Sequence, residues 1–267
     1  MLYGLIHYNT PGDTFEDFVA FAATSGFGSV EVMIADVWPR GTDFTTEKAH
    51  EAREILDRYG IKASALTAAN DFVQLSAAAI AEQVDRMQQV AQLAKIVGTN
   101  ILRTEGGQPK DSVPEEKYAE AIAGCLKACL PFCEDMGVKL AVDNHGVVSN
   151  NPAVLLPALE AVSSPFIGSN LDTMNLRWWG NAVEDLPKIY HDLAPYVLHT
   201  HMKDGSGVRG EYKGAALGEG EIPLKVAVDE LVAAGYQGAW TAEWEGKGDK
   251  AAGYQACLAW LKANCPA

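Results

Sequence analysis

Four runs in the second half of the chain end apolar segments with side chains that could do chemistry. They are KLAVDNHG, with Asp143, Asn144 and His145; IGSNLDTMN, with Asn170, Asp172 and Asn175; VLHTHMKDG, with His199, His201, Lys203 and Asp204; and AWTAEWEG, with Glu243 and Glu245. Read as strands, whose side chains alternate, they put Asp143 on one face with His145, Asn170 with Asp172, His199 with His201, and Glu243 with Glu245. If those faces converge, carboxylates and imidazoles crowd together, and acids so placed repel one another unless a cation lies between them. Carboxylates with one imidazole form an oxygen-rich set with a borderline nitrogen. Such a set suits Mn²⁺, Mg²⁺, Co²⁺, Fe²⁺ or Zn²⁺ without choosing among them, whereas structural zinc would favour cysteine.

Convergence needs a scaffold, and the whole chain supplies its pattern. Apolar runs at 2–8, 28–34, 62–68, 99–104, 138–144, 167–172, 196–202 and 239–244 alternate with amphipathic stretches at 13–25, 45–59, 76–97, 114–136, 151–163, 182–194, 223–234 and 248–264. Alternating βα units predict a parallel sheet, and eight of them predict one closed (β/α)₈ barrel, a TIM barrel, over residues 1–267. Gly26, Gly60, Gly98, Gly137 and Gly235 stand at helix C-cap positions. Asp13 or Thr14, Thr45 or Thr46, and Asp111 or Ser112 with Pro114 mark helix starts. Barrel strands are buried on both faces, so an ionisable side chain at a C-terminal strand end is costly unless paired, and such positions read as catalytic.

Composition narrows the partners. The 21 Lys and Arg face 35 Asp and Glu, and the net charge of −14 repels nucleic acid and acidic membranes. No run reaches the roughly 20 apolar residues of a membrane span, and MLYGLIHYNTPGD has no leader pattern, so a cytoplasmic protein is expected. Cys125, Cys129 and Cys133 recur every fourth residue and are expected to pack along one helix face rather than bind metal, and five cysteines in all argue against a disulfide framework.

HMKD at 201–204, LGEGEIP at 217–223 and AEWEG at 242–246, supported by NDF at 70–72, DNHG at 143–146 and LDTMN at 171–175, give the chain its likeness. Over nearly its whole length it resembles the sugar phosphate isomerase/epimerase group of xylose-isomerase-like barrels. The resemblance implies one divalent ion, Mn²⁺ ahead of Mg²⁺, Co²⁺, Fe²⁺ and Zn²⁺, held by Asp143, Asp172, His201 and Glu243. It implies an isomerase or epimerase acting on a sugar or keto-sugar derivative, with Asp143 and Glu243 moving a proton through a metal-stabilised enediolate. Asp143 departs from the pattern, since the family usually carries glutamate there, about one methylene longer. The abasic-site endonucleases that share this barrel need three metals and further histidines. Asn175 stands where one of those would be, and the third and fourth strands have none.

Further expectations concern the substrate. His145 and His199 could bond its hydroxyls, although His199 reads equally well as a buried histidine satisfied by neighbours. Lys203 and Arg209 could meet a carboxylate or phosphate, the alternative for Arg209 being a solvated loop. Asn175 is a further contact. Arg103 with Glu105, and Glu31, are each weighed as substrate contacts against structural ion pairs. One of Trp178 and Trp179 is expected to wall the sugar, with Trp38 and Phe72 also in loops and an oligomer contact as the other use of such aromatics. A lyase or dehydratase on a keto-sugar or inositol-type substrate fits the same site, and so does a barrel that only binds sugar.

Overall fold

The computed structural model describes residues 2–266 and closes the expected barrel. Its strands are β1 (Tyr3–Ile6), β2 (Ser29–Val32), β3 (Lys62–Thr67), β4 (Ile101–Glu105), β5 (Lys139–Asp143), β6 (Ile167–Asp172) and β7 (Val197–Met202). A hairpin of β8 (Asp204–Ser206) and β9 (Lys213–Ala215) follows, and β10 (Trp240–Ala242) pairs with both β7 and β1 to close the ring in parallel. Around it run α1 (Phe15–Ser25), α2 (Ile34–Val37), α3 (Glu47–Tyr59), α4 (Ala77–Val97), α5 (Tyr118–Met136), α6 (Pro152–Val162), α7 (Asn175–Trp179), α8 (Leu186–Leu193), α9 (Leu224–Ala233) and α10 (Lys250–Asn264). Among the described residues, no helix is long and apolar enough to cross a membrane.

The punctuation works by the expected physics. The Thr14 hydroxyl accepts the Asp17 amide at 3.1 Å while the Asp17 carboxylate accepts the Thr14 amide at 3.2 Å, a reciprocal cap that starts α1. Gly26, Gly60, Gly98 and Gly137 end their helices in the left-handed conformation. Gly235 lies one residue beyond the cap of α9, also with positive φ. Helix α5 starts later than the sequence suggests, because Pro114 leads a 3₁₀ turn at Glu115–Lys117 before Tyr118. The short helices α2 and α7 and the β8–β9 hairpin carry no period long enough to read from sequence.

Leu66, Leu102, Leu140, Val142 and Leu171 of the strands are fully buried with Val90, Leu126, Leu159 and Leu231 of the helices in one core. Cys125, Cys129 and Cys133 join it, and burial pushes the Cys125 and Cys133 thiols up to about 12, so they pack as small neutral groups. Two register shifts interrupt the strand pairing: Ser64 on β3 is the extra residue opposite the Val30–Glu31 step of β2, and Leu198 on β7 is the extra residue opposite the Ser169–Asn170 step of β6. Bulges re-aim the side chains that follow. On β7 those include His199 and His201, both buried.

Candidate metal centre

The C-terminal ends of β6, β7 and β10 bring together Asp172, His201 and Glu243, with one potential ligand atom of each inside a common 4.8 Å. Pairing explains the convergence: Asp172 stands level with His201 across β6 and β7, and Thr241 stands level with His201 across β10, two residues before Glu243. His201 Nε2 lies 2.6 Å from Glu31 Oε2. Its Nδ1 lies 3.0 Å from Glu243 Oε2 yet has no aligned hydrogen-bond partner. Burial alone would lower the His201 pKa, but Glu31 and Glu243 hold it well above the ordinary imidazole value. The same charges reach Glu31: burial opposes ionisation, and His201, His199 and Arg103 outweigh it to bring the carboxyl down to about 2.

Asp172 Oδ1 accepts the amides of Met174 and Asn175 at 2.9 and 2.8 Å, which fixes the carboxylate plane. Oδ2 has no hydrogen-bond partner and lies 3.1 Å from Lys203 Nζ. Burial, aided by Glu243 and Asp143, raises this carboxyl to about 6 against the pull of Lys203 and His201. Burial would raise Glu243 as well, but Lys203 and His201 beside it hold it well below the usual carboxylate range. Asp143 is buried at the end of β5, its Oδ1 accepting from Asn170 Nδ2 at 2.6 Å. Its Oδ2 has no hydrogen-bond partner and lies 3.5 Å from Arg103 Nη1 and 3.7 Å from His145 Nδ1. Asp143 stands beside the Asp172–His201–Glu243 trio rather than within its 4.8 Å.

The donor set fits a divalent cation. Asp143 Oδ2, Asp172 Oδ2 and His201 Nδ1 are buried Lewis bases with no hydrogen-bond partner, and such orphans are rare without a reason. Four buried carboxylates, Glu31, Asp143, Asp172 and Glu243, face the buried cations Arg103 and Lys203; even with the proton that His201 holds when no metal is bound, negative charge is in excess. A ligating histidine also needs its other ring nitrogen bonded to a carboxylate, and Glu31 provides that.

The remaining expected contacts divide by depth. His145 and Arg209 are exposed at the rim, Arg209 with its guanidinium 5.9 Å from the Trp178 ring centre. Glu31 is fully buried beneath His201 and paired with it and with Arg103, as the structural ion pair of its two readings would be. His199 also lies below the cluster, with Nδ1 2.8 Å from Asn170 Oδ1 and Nε2 3.1 Å from Thr241 Oγ1, so it is the satisfied buried histidine of its two readings. Burial takes its pKa down to about 4 despite the pull of Glu31. Arg103 is likewise buried, within 3.5 Å of Glu31, Glu105 and Asp143, and holds the mouth together as an ion-pair hub. Asn175 turns inward to donate to the Asn144 carbonyl at 3.2 Å. Lys203 is buried among acids instead of meeting the rim. Phe72 is core, and Trp38 packs on Phe44 and Arg86. Trp178 and Trp179 line a cavity of about 330 Å³ with Tyr118, Val147 and Arg209, none of it made by the metal-binding candidates. A larger cavity of about 560 Å³ opens at the opposite, N-terminal end of the barrel and meets the site residues only at His199.

Two positioning residues escape a reading for ionisable groups. Asn144 accepts the Asp172 amide and donates to the Asp172 carbonyl, each at 2.9 Å, tying β6 to the end of β5 as another strand would. Asp204 gathers the amides of Gly205, Gly218, Gly220 and Ile222 at 2.8–3.2 Å, which is why HMKD and LGEGEIP occur together. Gly220 has to be glycine, since a Cβ there would overlap Asp204 Oδ1. The DNH and MKDG runs hold the signal for both, in amides and glycines rather than charges.

Residues 19–264 match the family described as xylose isomerase-like TIM barrel. No protein of curated function matches the chain by sequence. Among solved structures, the chain is similar to a D-tagatose 3-epimerase-like protein at 17% identity, covering 98% of each chain with a TM-score of 0.79. It is similar to the IolI protein with a bound zinc atom at 16% identity, covering 98% of this chain and 97% of that one, TM-score 0.79. The probable 3-DHS dehydratase AsbF of Bacillus anthracis aligns at 18% identity over 98% of this chain and 99% of that one, TM-score 0.75.

Proposed function

Because the chain belongs to the xylose isomerase-like TIM barrel family, we propose that it is a divalent-metal-dependent isomerase or epimerase of a sugar or keto-sugar derivative. The observation that carries this reading is the buried Asp172–His201–Glu243 trio with its unbonded ligand atoms. Asp172, His201 and Glu243, with Asp143 beside them, would hold the ion, with Mn²⁺ the first candidate. When bound, it would supply Lewis-acid stabilisation of the negative charge that builds on adjacent substrate oxygens as a carbon-bound proton leaves.

The chain's own groups account for the rest. Glu243, kept ionised by Lys203 and His201, carries no proton at neutral pH and would be the group to accept one from the substrate. Asp143 is its counterpart across the mouth, poised by Asn170 and Arg103. Glu31 orients His201 from below. At the rim, the exposed His145 and Arg209 would bind hydroxyl or anionic groups of the substrate.

The test is deuterium exchange: metal-loaded protein with a panel of ketoses in D₂O should label the carbon beside the carbonyl. Tight sugar binding with no exchange across the panel would leave only a sugar-binding barrel. A lyase outcome is the second reading, supported by the likeness to a probable dehydratase, and release of water from the substrate would select it.

A further inference from the structure

Among the described residues, Lys203 is the one obligate cation in direct contact with two of the candidate ligands. Its Nζ lies 3.1 Å from Asp172 Oδ2 and 3.2 Å from Glu243 Oε1, with Glu245 Oε1 at 3.5 Å. The residue is 3% exposed, so water does not share its charge. Its backbone is clamped, the amide donating to Thr173 Oγ1 at 2.9 Å and the carbonyl accepting from the same hydroxyl at 2.7 Å. What can move is the four-carbon stem and its compact point charge. Arg103 instead spreads a rigid planar fork over Glu31, Glu105 and Asp143, and of the candidate ligands it meets Asp143 alone.

An ammonium and a divalent ion cannot share one pair of buried carboxylates without strong repulsion. Of the three acids around Lys203, Asp172 and Glu243 belong to the trio and Glu245 does not. Glu245 is also the most exposed of them, its side chain 23% accessible. We propose that Lys203 is a resident counter-cation that occupies the Asp172–Glu243 pair until a divalent ion arrives, competes with that ion, and withdraws to Glu245 when it loads. The lysine thus keeps the metal-free mouth from repelling itself, and it sets how tightly the mouth binds an ion. The inference rests on the metal-centre reading above.

Calorimetric titration of chelator-stripped protein with Mn²⁺, beside thermal melting of the stripped forms, tests it. Lys203→Met should melt lower when stripped and yet bind Mn²⁺ at least tenfold more tightly than wild type. Glu245→Gln, which removes the resting place, should bind at least threefold more weakly, and that loss should vanish in the Lys203→Met background. A lysine that served only packing or substrate binding would lower the melting point with no gain in affinity, and unchanged or weaker Mn²⁺ binding by Lys203→Met overturns the proposal. If Lys203→Met does not fold, Glu245→Gln decides, and wild-type affinity there overturns it. Binding in wild type with no effect of either variant sinks the lysine proposal alone; no Mn²⁺ bound by any of the forms sinks the metal centre as well.

Discussion

Replacing Glu31 separates two accounts of the same residue. Its Oε2 sits 2.6 Å from His201 Nε2, and its Oε1 faces Arg103 Nε at 3.4 Å, with no exposed surface. If it orients the imidazole, its loss acts on the metal through a ligand, and carboxylate partners of ligating histidines are worth about 10–100-fold in metal affinity, or about 1.4–2.7 kcal/mol. Glu31→Gln keeps the shape and an acceptor for the ring N–H but loses the charge, so it belongs at the lower end. Glu31→Ala opens a hole and leaves Arg103 short of a partner, so it belongs at the upper end and should also cost about 3–5 kcal/mol of stability. Mn²⁺ titration and chemical denaturation read both effects. Wild-type metal affinity in both variants, with a raised KM for the sugar instead, would refute the orienting role and restore the substrate contact.

His201→Ala and Glu243→Gln should each lose bound metal and activity together, and full metal content in both by elemental analysis would break the assignment. Asp143→Asn keeps the bond to Asn170 within reach but removes the charge; activity should fall at least 100-fold while bound metal falls less than in His201→Ala, because Asp143 stands beside the trio, and metal loss as complete as in His201→Ala would make it a ligand first. Acid stability carries a compensation. The fold holds His199 at about 4 against an ordinary 6.5, so as pH falls the unfolded chain takes the proton first and stability drops. It holds Asp172 at about 6 against 3.8, so there the folded protein takes the proton first and stability rises over the same range. Between pH 5 and 6 the two nearly cancel in metal-stripped wild type. Asp172→Asn should unmask a loss of about 1.4 kcal/mol per pH unit, and a flat denaturation profile in that variant would contradict the His199 environment.

Much of this was legible because barrel physics is periodic. Alternating apolar runs, C-cap glycines and the helix-start residues such as Asp13 or Thr14 gave the element order, and charged ends on β5, β6, β7 and β10 pointed to the candidate site's location. Depth was not legible. Whether Glu31, Arg103 and Lys203 reach the rim or sit beneath it depends on strand tilt and on the bulges at Ser64 and Leu198, which leave no mark in a one-dimensional pattern. The roles of Asn144 and Asp204 were hidden for another reason: each acts on backbone amides or carbonyls, and those are the same in every residue.

The Asp204 carboxylate fastens amides on both sides of the β8–β9 excursion. The tip between those strands, Gly207 to Tyr212, is tied down separately, the Arg209 amide donating to the Trp178 carbonyl at 2.8 Å and the Gly207 amide to Glu221 Oε1 at 3.0 Å. Root and tip thus have independent anchors, so a change in what this scaffold accepts can be confined to the Arg209 side chain, whose amide would keep its bond, with Asp204 and Gly220 left alone.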